Sequence, residues 1–320
     1  MNNPLVTIIC TNYNQGKFLA EALNSVLDQT YRNFELFIID NNSNDDSEAI
    51  IRHYKRLHPE IEIFLLEENI GICKAFNLGL KAASGKYIID LAADDVLFSD
   101  RLKLQVEALE KLDETYTMCF TDAVHIDEKG KILRNHYKRR GNSILVEKVP
   151  TGDVYQNILE RFFICTPTMM MRTSHLIEMN GYDETISYED FDYWVRFSRK
   201  YKFHFLNKVL TAKRNVEKSH NSKSKELKYE KYHLDTLSIC KKAYKLNTTK
   251  KEHIALAKRV KYEMRQSYFT MNYDVTLSYS KLLKKLGIFK TPDIIIASLA
   301  RKKINLSGIY NKLKSVKGSI

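Results

Sequence analysis

The sequence predicts an α/β protein: a mostly parallel sheet flanked by helices, followed by a basic, helical C-terminal extension. Three observations carry this. Short apolar runs of strand length alternate with segments of helical periodicity through roughly the first 120 residues. Polar, turn-forming clusters follow successive strand-like runs. The charge also changes sign along the chain. Residues 223–320 hold 23 Lys+Arg against 7 Asp+Glu, a net +16, while the remainder holds 28 against 32, a net −4.

The elements follow in order. Leu5–Thr11 reads as a buried strand, and Phe18, Leu19, Ala22, Leu23, Val26 and Leu27 recur at helical spacing. Phe34–Asp40 is a second strand, and a helix is expected near Ser47–Leu57. Ile61–Leu66 is a third strand, with a helix over Cys73–Ala83 that Ser84-Gly85 ends. Tyr87–Leu91 is a fourth strand. A helix near Asp100–Leu112 and a strand near Tyr116–Thr121 complete the series. Asp122–Pro150 is polar and reads as loop or hairpin, with a basic patch at His136–Arg140. Thr166–Met171 reads as a strand and Tyr188–Tyr201 as a helix. Beyond about Asn221 the chain is Lys-rich and helical, with one break at Thr291-Pro292. The expected domains are 1–220 and 221–320.

With 320 residues, 44% of them hydrophobic and 28% charged, the chain can bury a sizeable core, which excludes a disordered or fibrous protein. No apolar run approaches the roughly 20 residues of a membrane span. Met1-Asn2-Asn3-Pro4 lacks the basic start of a secretory signal. Five scattered cysteines without a CxxC pair suit reduced thiols, so the expected location is cytoplasmic.

Neither GxGxxG nor GxxxxGK[ST] occurs, which weakens a dinucleotide or P-loop reading. Instead, polar clusters end the strands: Thr11-Asn12-Tyr13-Asn14, Asp40-Asn41-Asn42-Ser43, Asn69-Ile70-Gly71 and Asp94-Asp95. Any one of these is explained by turn formation. Four at the carboxyl edge of one parallel sheet make a site for a polar ligand.

These segments resemble family 2 glycosyltransferases of the GT-A fold. Pro4-x-Val6 through Asn14 is similar to the family's opening strand, and Ile38–Ser43 to its "VVDDGS" turn. Asn69-x-Gly71 resembles "NxG", and Gly85–Ile88 leading to Ala92–Asp95 resembles "GEYI…DxDD". Glu189-Asp190 with Trp194 and Arg196 resembles "ED…WxR". The resemblance covers about residues 4–220 and implies site residues. Thr11, Tyr13 and Asp40 would hold a nucleobase, and Asn42, Asn69, Gly71 and Lys74 would line the donor site beside Asp94. Asp94 would bind a divalent cation, Mn²⁺ or Mg²⁺, on the donor diphosphate. Asp95 would be a second ligand or a brace for the loop, and His220 a further ligand. Asp190 would be the catalytic base of an inverting transfer, with Asp192 a weaker alternative.

Three departures stand out. Ala92 replaces the first Asp of DxD, Phe76 the Arg of "ARN", and Asn41 the second Asp of "DD". The implied partners are a UDP-linked nucleotide-sugar donor and a saccharide or lipid-linked saccharide acceptor of bacterial surface-polysaccharide synthesis. The basic segment 223–320 suits contact with an anionic inner leaflet. Tyr262, Tyr268, Phe269 and Tyr273 are expected to pack a helical core, so no nucleic acid partner is expected. A homo-oligomer stays open. The competing readings are a non-catalytic basic protein that binds membrane or nucleic acid, and a nucleotidyltransferase, whose Gly-rich phosphate loop is missing here.

Overall fold

The computed structural model describes residues 3–141, 144–216 and 230–308. They fall into two compact units, each described here by itself. The first comprises residues 3–154, 163–189 and 200–216; the second comprises 155–162, 190–199 and 230–308.

The first unit is built on a nine-stranded mixed sheet. β1 (Val6–Asn12), β2 (Phe34–Asp40), β3 (Glu62–Leu65) and β4 (Tyr87–Ala92) lie in the order β3-β2-β1-β4, all parallel. Beyond β4 come β10 (Met170–Arg172), β6 (Tyr116–Ile126), β11 (Lys202–Arg214) and the short β5 (Val96–Leu97). β10 is antiparallel to both its neighbours, and β11 returns parallel to β6. β7 (Ile132–Asn135) forms a hairpin with β6, and β8 (Arg139–Arg140) pairs with β9 (Ile144–Leu145).

Strand and helix patterns explain the layering. On β1, Val6, Ile8 and Cys10 join a core with Leu19, Leu23 and Val26 of α1 (Gly16–Leu27), Ile51 and Tyr54 of α2 (Ser47–Leu57), and Leu102, Val106 and Leu109 of α4 (Arg101–Glu110). The intervening Ile9 faces the other side. There α3 (Ile72–Ala82) lies so close that a Cβ on Gly79 would stand 2.8 Å from Ile9 Cγ2 and 3.1 Å from Ile39 Cδ1. Apolar cover on both faces is why these strands read as continuous hydrophobic runs.

Gly85, just before β4, is held more tightly still. Its N–H donates to Thr7 Oγ1 at 3.0 Å and its carbonyl accepts from Thr173 Oγ1 at 2.5 Å. A Cβ there would meet the Thr7 backbone nitrogen at 2.6 Å.

The second unit is helical: α5 (Tyr155–Glu160), most of α7 (Glu189–Lys200), α8 (Glu230–Leu246), α9 (Lys250–Phe269), α10 (Tyr273–Lys285) and α11 (Thr291–Arg301). α6 (Thr173–Glu178) belongs to the first unit. The Arg259 guanidinium lies 3.7 Å from the Phe162 ring centroid and 5.7 Å from that of Phe191, so an aromatic cage shields the stem and head of a buried cation. Thr249 and Glu252 form a reciprocal capping box that starts α9.

Several expectations need correction. Thr166–Thr168 is a 3₁₀ turn, because Pro167 cannot donate to a ladder, and only Met170–Arg172 is strand. Of the two readings of 122–150, hairpin holds: β6 runs on to Ile126 through buried Asp122 and His125 and turns back into β7. The basic patch at 136–140 is partly internal, since Arg139 Nε donates to the buried Asp122 carboxylate at 2.6 Å. The C-terminal segment breaks three times, and Pro292 sits in the first turn of a helix, where its missing N–H costs nothing. Of the four aromatics assigned to a helical core, Tyr268 is buried but Tyr262 is largely exposed.

Gly85→Ala is expected to destabilise the protein by about 1–3 kcal/mol, because the clash is with backbone that cannot swing away. A urea midpoint equal to wild type would show that the strand entry is looser than described.

Candidate active site

Parallel register brings the polar strand ends level. Asn12 pairs with Asp40, Asp40 with Leu65, and Thr11 with Ala92. Asp40 is buried, and its carboxylate is the hub of the first cluster. Oδ1 accepts from Asn12 Nδ2 at 2.6 Å and from Ser43 Oγ at 2.6 Å; Oδ2 accepts from the Ser43 N–H at 2.9 Å. Asn14 and Asn42 take left-handed backbone (φ 54° and 64°), which Asn tolerates and which lets the two turns meet. The Asn44 N–H donates to Asn14 Oδ1, and the Asn14 N–H to Ser43 Oγ. Beside this edge Thr11 is half-buried and Tyr13 is 46% exposed, leaving its ring open to a flat ligand.

A second clasp joins the next strand. Asn41 Nδ2 donates to Asn69 Oδ1 at 3.1 Å, while Asn41 Oδ1 accepts the Ile70 N–H at 2.9 Å and Asn69 Oδ1 the Gly71 N–H at 3.0 Å. Gly71 (φ 84°) then starts α3, and Lys74 lies exposed in its first turn. Asn41 is therefore a structural amide. A carboxylate there could not make the side-chain N–H bond to Asn69.

The acidic loop follows β4. Asp94 is half-buried on the same alternation as Ala92, whereas Asp95 is buried. Burial raises the Asp94 carboxyl above the usual carboxylate range. Burial, and then the charge of Asp94, push Asp95 up to about 7. Arg214 braces the pair. Its backbone N–H donates to Asp95 Oδ1 at 2.8 Å and its Nε to the Asp94 carbonyl at 3.0 Å. Its other nitrogens reach Glu21 Oε2 (2.5 Å) and the carbonyl of Asp127 (3.1 Å), and the guanidinium lies 4.8 Å from the Phe18 ring centroid. Lys213 adds positive field to both carboxylates. Two adjoining carboxyls whose charged forms are disfavoured, one of them partly open, form a hard-oxygen donor set that suits a divalent cation. Asp95, bonded inward, occupies the bracing position.

Sequence reading missed Arg214, which ends a strand interrupted by Lys, His and Asn. It also missed the role of the segment carrying Phe76. That ring is buried against Tyr182, with centroids 4.3 Å apart. Asn77 bonds the Tyr182 carbonyl (2.8 Å), its N–H (2.9 Å) and Glu184 Oε1 (3.0 Å). Tyr182 in turn donates to Asp90 at 3.0 Å.

In the second unit, Asp190 is half-buried in the first turn of α7. Asp192 is buried and bound on both oxygens, by Arg196 Nε at 2.5 Å and Lys242 Nζ at 2.6 Å. Asp192 is thus tied into an ion-pair network within the second unit. Trp194 packs on Phe162. His220 lies outside the described residues.

A half-Rossmann run of parallel strands with a polar carboxyl edge and an acidic loop defines a GT-A glycosyltransferase. The sequence profile of glycosyl transferase family 2 matches residues 7–178, more than half of the chain, so the protein belongs to that family. An uncharacterized glycosyltransferase of Methanocaldococcus jannaschii is 29% identical over 213 residues, which span 66% of this chain and 70% of that protein. One from Rickettsia felis is 32% identical over 218 residues, 67% of this chain but only 33% of its own length. TuaG of Bacillus subtilis, assigned provisionally to teichuronic acid biosynthesis, is 36% identical over 104 residues, 32% of this chain and 41% of TuaG. Among solved structures, S. aureus TarS 1-349 in complex with UDP-GlcNAc matches with a TM-score of 0.66 at 18% identity, covering 93% of this chain and 87% of that one. Mannosyltransferase PcManGT from Pyrobaculum calidifontis, in complex with GDP-Man and Mn²⁺, matches at 0.58 and 16%, covering 95% and 86%.

The acidic loop yields a pH prediction. A carboxyl raised by folding stabilises the protein below its unfolded pKa near 3.8, and that stability is lost as pH rises through about 7. In EDTA, the melting temperature should fall between pH 4 and pH 8, and Asp95→Asn should flatten part of the fall. Mn²⁺ should restore more stability at pH 8 than at pH 5. A wild-type profile identical to that of Asp95→Asn would refute the assignment.

Proposed function

We propose that this protein transfers a sugar, with inversion, from a UDP-linked donor to a hydroxyl of a saccharide or lipid-linked saccharide acceptor in surface-polysaccharide synthesis. The observation that carries the reading is the acidic loop, set level with the polar edge of β1 and β2 and braced by Arg214. Further support comes from the family itself, from TarS with its bound UDP-GlcNAc and from the assignment of TuaG.

The roles divide among this chain's residues. Tyr13 would stack on the nucleobase, with Thr11 beside it. Asp40, oriented by Asn12 and Ser43, would accept a base N–H, and Asn42, Asn69 and Gly71 would complete the donor edge. Lys74 would lend the diphosphate positive charge at the turn where Phe76 replaces the family's arginine. Asp94, with Asp95 behind it, would hold a divalent cation, together with His220. When bound, that cation would neutralise charge on the departing nucleoside diphosphate. Asp190 would take the acceptor hydroxyl proton as that oxygen attacks the anomeric carbon.

The basic C-terminal segment would attach the enzyme peripherally to an anionic inner leaflet. α11 carries Ile294 and Ile295, 52% and 55% exposed, between Lys290 and Arg301-Lys302-Lys303. Among the described residues, no helix is long and apolar enough to cross a membrane.

The first test is a thermal-shift panel of UDP, GDP, CDP and TDP, each with and without Mn²⁺. UDP with Mn²⁺ should raise the melting temperature, and ligand at 100 times its Kd gives about 2.7 kcal/mol. A shift with GDP alone would replace the donor, and no shift with any nucleotide would overturn the reading. Asp94→Ala should lose the Mn²⁺-dependent part. Asp190→Asn should keep UDP binding and lose transfer; full turnover in that variant would move the base elsewhere.

A further inference from the structure

A second group of ligand-type side chains lies in the first unit, on residues the transfer reaction does not use. His125 sits near the end of β6, His136 just after β7, and Cys165 at the entry to the 3₁₀ turn. One ligand atom from each lies within 4.8 Å of the other two. His125 and Cys165 are buried and His136 is half-buried.

The hydrogen bonds fix the tautomers. His125 Nδ1 lies 3.2 Å from Asn215 Oδ1, and His136 Nε2 lies 3.2 Å from the Phe163 carbonyl oxygen. Both partners are acceptors, so both of these outer nitrogens carry the proton. The inner nitrogens, His125 Nε2 and His136 Nδ1, then present lone pairs to each other across 3.3 Å. Two facing lone pairs repel unless a cation joins them.

We propose that His125 Nε2, His136 Nδ1 and Cys165 Sγ form a binding site for a borderline-soft divalent cation, zinc above all. The distances allow it. An N···N separation of 3.3 Å is the edge of a tetrahedron with Zn–N bonds of about 2.0–2.1 Å. One ring nitrogen of each imidazole and the Cys165 sulfur lie within 4.8 Å of one another, a spread that one ion with Zn–N and Zn–S bonds of about 2.0–2.3 Å can span. Only small turns of the side chains bring them into range. The outer N–H groups already make the contacts that orient metal-bound imidazoles, one to a side-chain amide and one to a backbone carbonyl. The Cys165 thiol would bind as thiolate and release its proton to solvent. A water completes the fourth position. Imidazole and thiolate select zinc, whereas the all-carboxylate Asp94 loop suits Mn²⁺ or Mg²⁺, so the two sites differ in chemistry. The ion would staple three segments that the sequence separates: β6, the β7 hairpin and the 163–168 turn.

The test is titration of the metal-stripped full chain with Co²⁺, followed in the near-ultraviolet and visible. The wild type should show a thiolate-to-cobalt charge-transfer band with the intense d–d bands of a tetrahedral site, and Zn²⁺ should displace both. Cys165→Ser should lose the charge-transfer band, and His136→Gln should weaken Co²⁺ binding at least tenfold. Asp94→Ala should keep every feature. The wild-type titration needs no variant to fold, and circular dichroism checks each variant that is used. The absence of a charge-transfer band in the wild type would overturn the proposal and leave a hydrogen-bonded histidine pair with the Asn215 amide reversed. A band that survives Cys165→Ser, or vanishes in Asp94→Ala, would also overturn it.

Discussion

The site depends on compensation of two neighbouring carboxylates, Asp94 half-buried and Asp95 buried. Asp94 and Asp95 lie in a place where burial disfavours their charge, and the charge of Asp94 further disfavours that of Asp95. Such a pair persists only if the surroundings hold it. Arg214 does so through its backbone N–H and its guanidinium together, and Glu21 and the Phe18 ring hold the guanidinium in turn. The brace engages the Asp95 carboxylate and the Asp94 carbonyl, while the Asp94 side chain stays half-buried. The loop thus separates two jobs that adjacent identical residues could otherwise share.

Much of the fold was legible because parallel strands buried on both faces announce themselves. Phe34–Asp40 and Ser47–Leu57 coincide in sequence pattern and in structure. Elements became illegible where polar residues occupy strand interiors. β11 carries Lys, His and Asn and shifts register against β6, so no period survives in its sequence. β6 continues through Asp122 and His125, which look like loop residues until their partners Arg139 and His136 are known. In the basic extension, helix breaks fall at Asn-Thr and Met-Asn steps, which signal less strongly than proline.

The polar edge of the site was legible as a set but not as a mechanism of assembly. Thr11, Asp40, Asn69 and Asp94 stood out at strand ends. The amide clasp through Asn41 and the carboxylate hub at Asp40 needed coordinates, because each links residues about 28 positions apart. The departures at Asn41 and Phe76 become intelligible in the same way: one completes a side-chain hydrogen bond, and the other fills a buried aromatic contact with Tyr182.

The brace also bears on how the chain is made. Arg214 bonds Asp95 across 119 positions and Glu21 across 193. A ribosome adding 5–20 residues per second reaches Arg214 roughly 6–24 s after Asp95 has been joined. The parallel core of β1 to β4 is complete in the nascent chain by then, but its acidic loop still lacks Lys213 and the Arg214 brace. Closure of the acidic loop is therefore a late, long-range event in synthesis, and a chain cut short before β11 would carry the β1 to β4 core without the Arg214 brace.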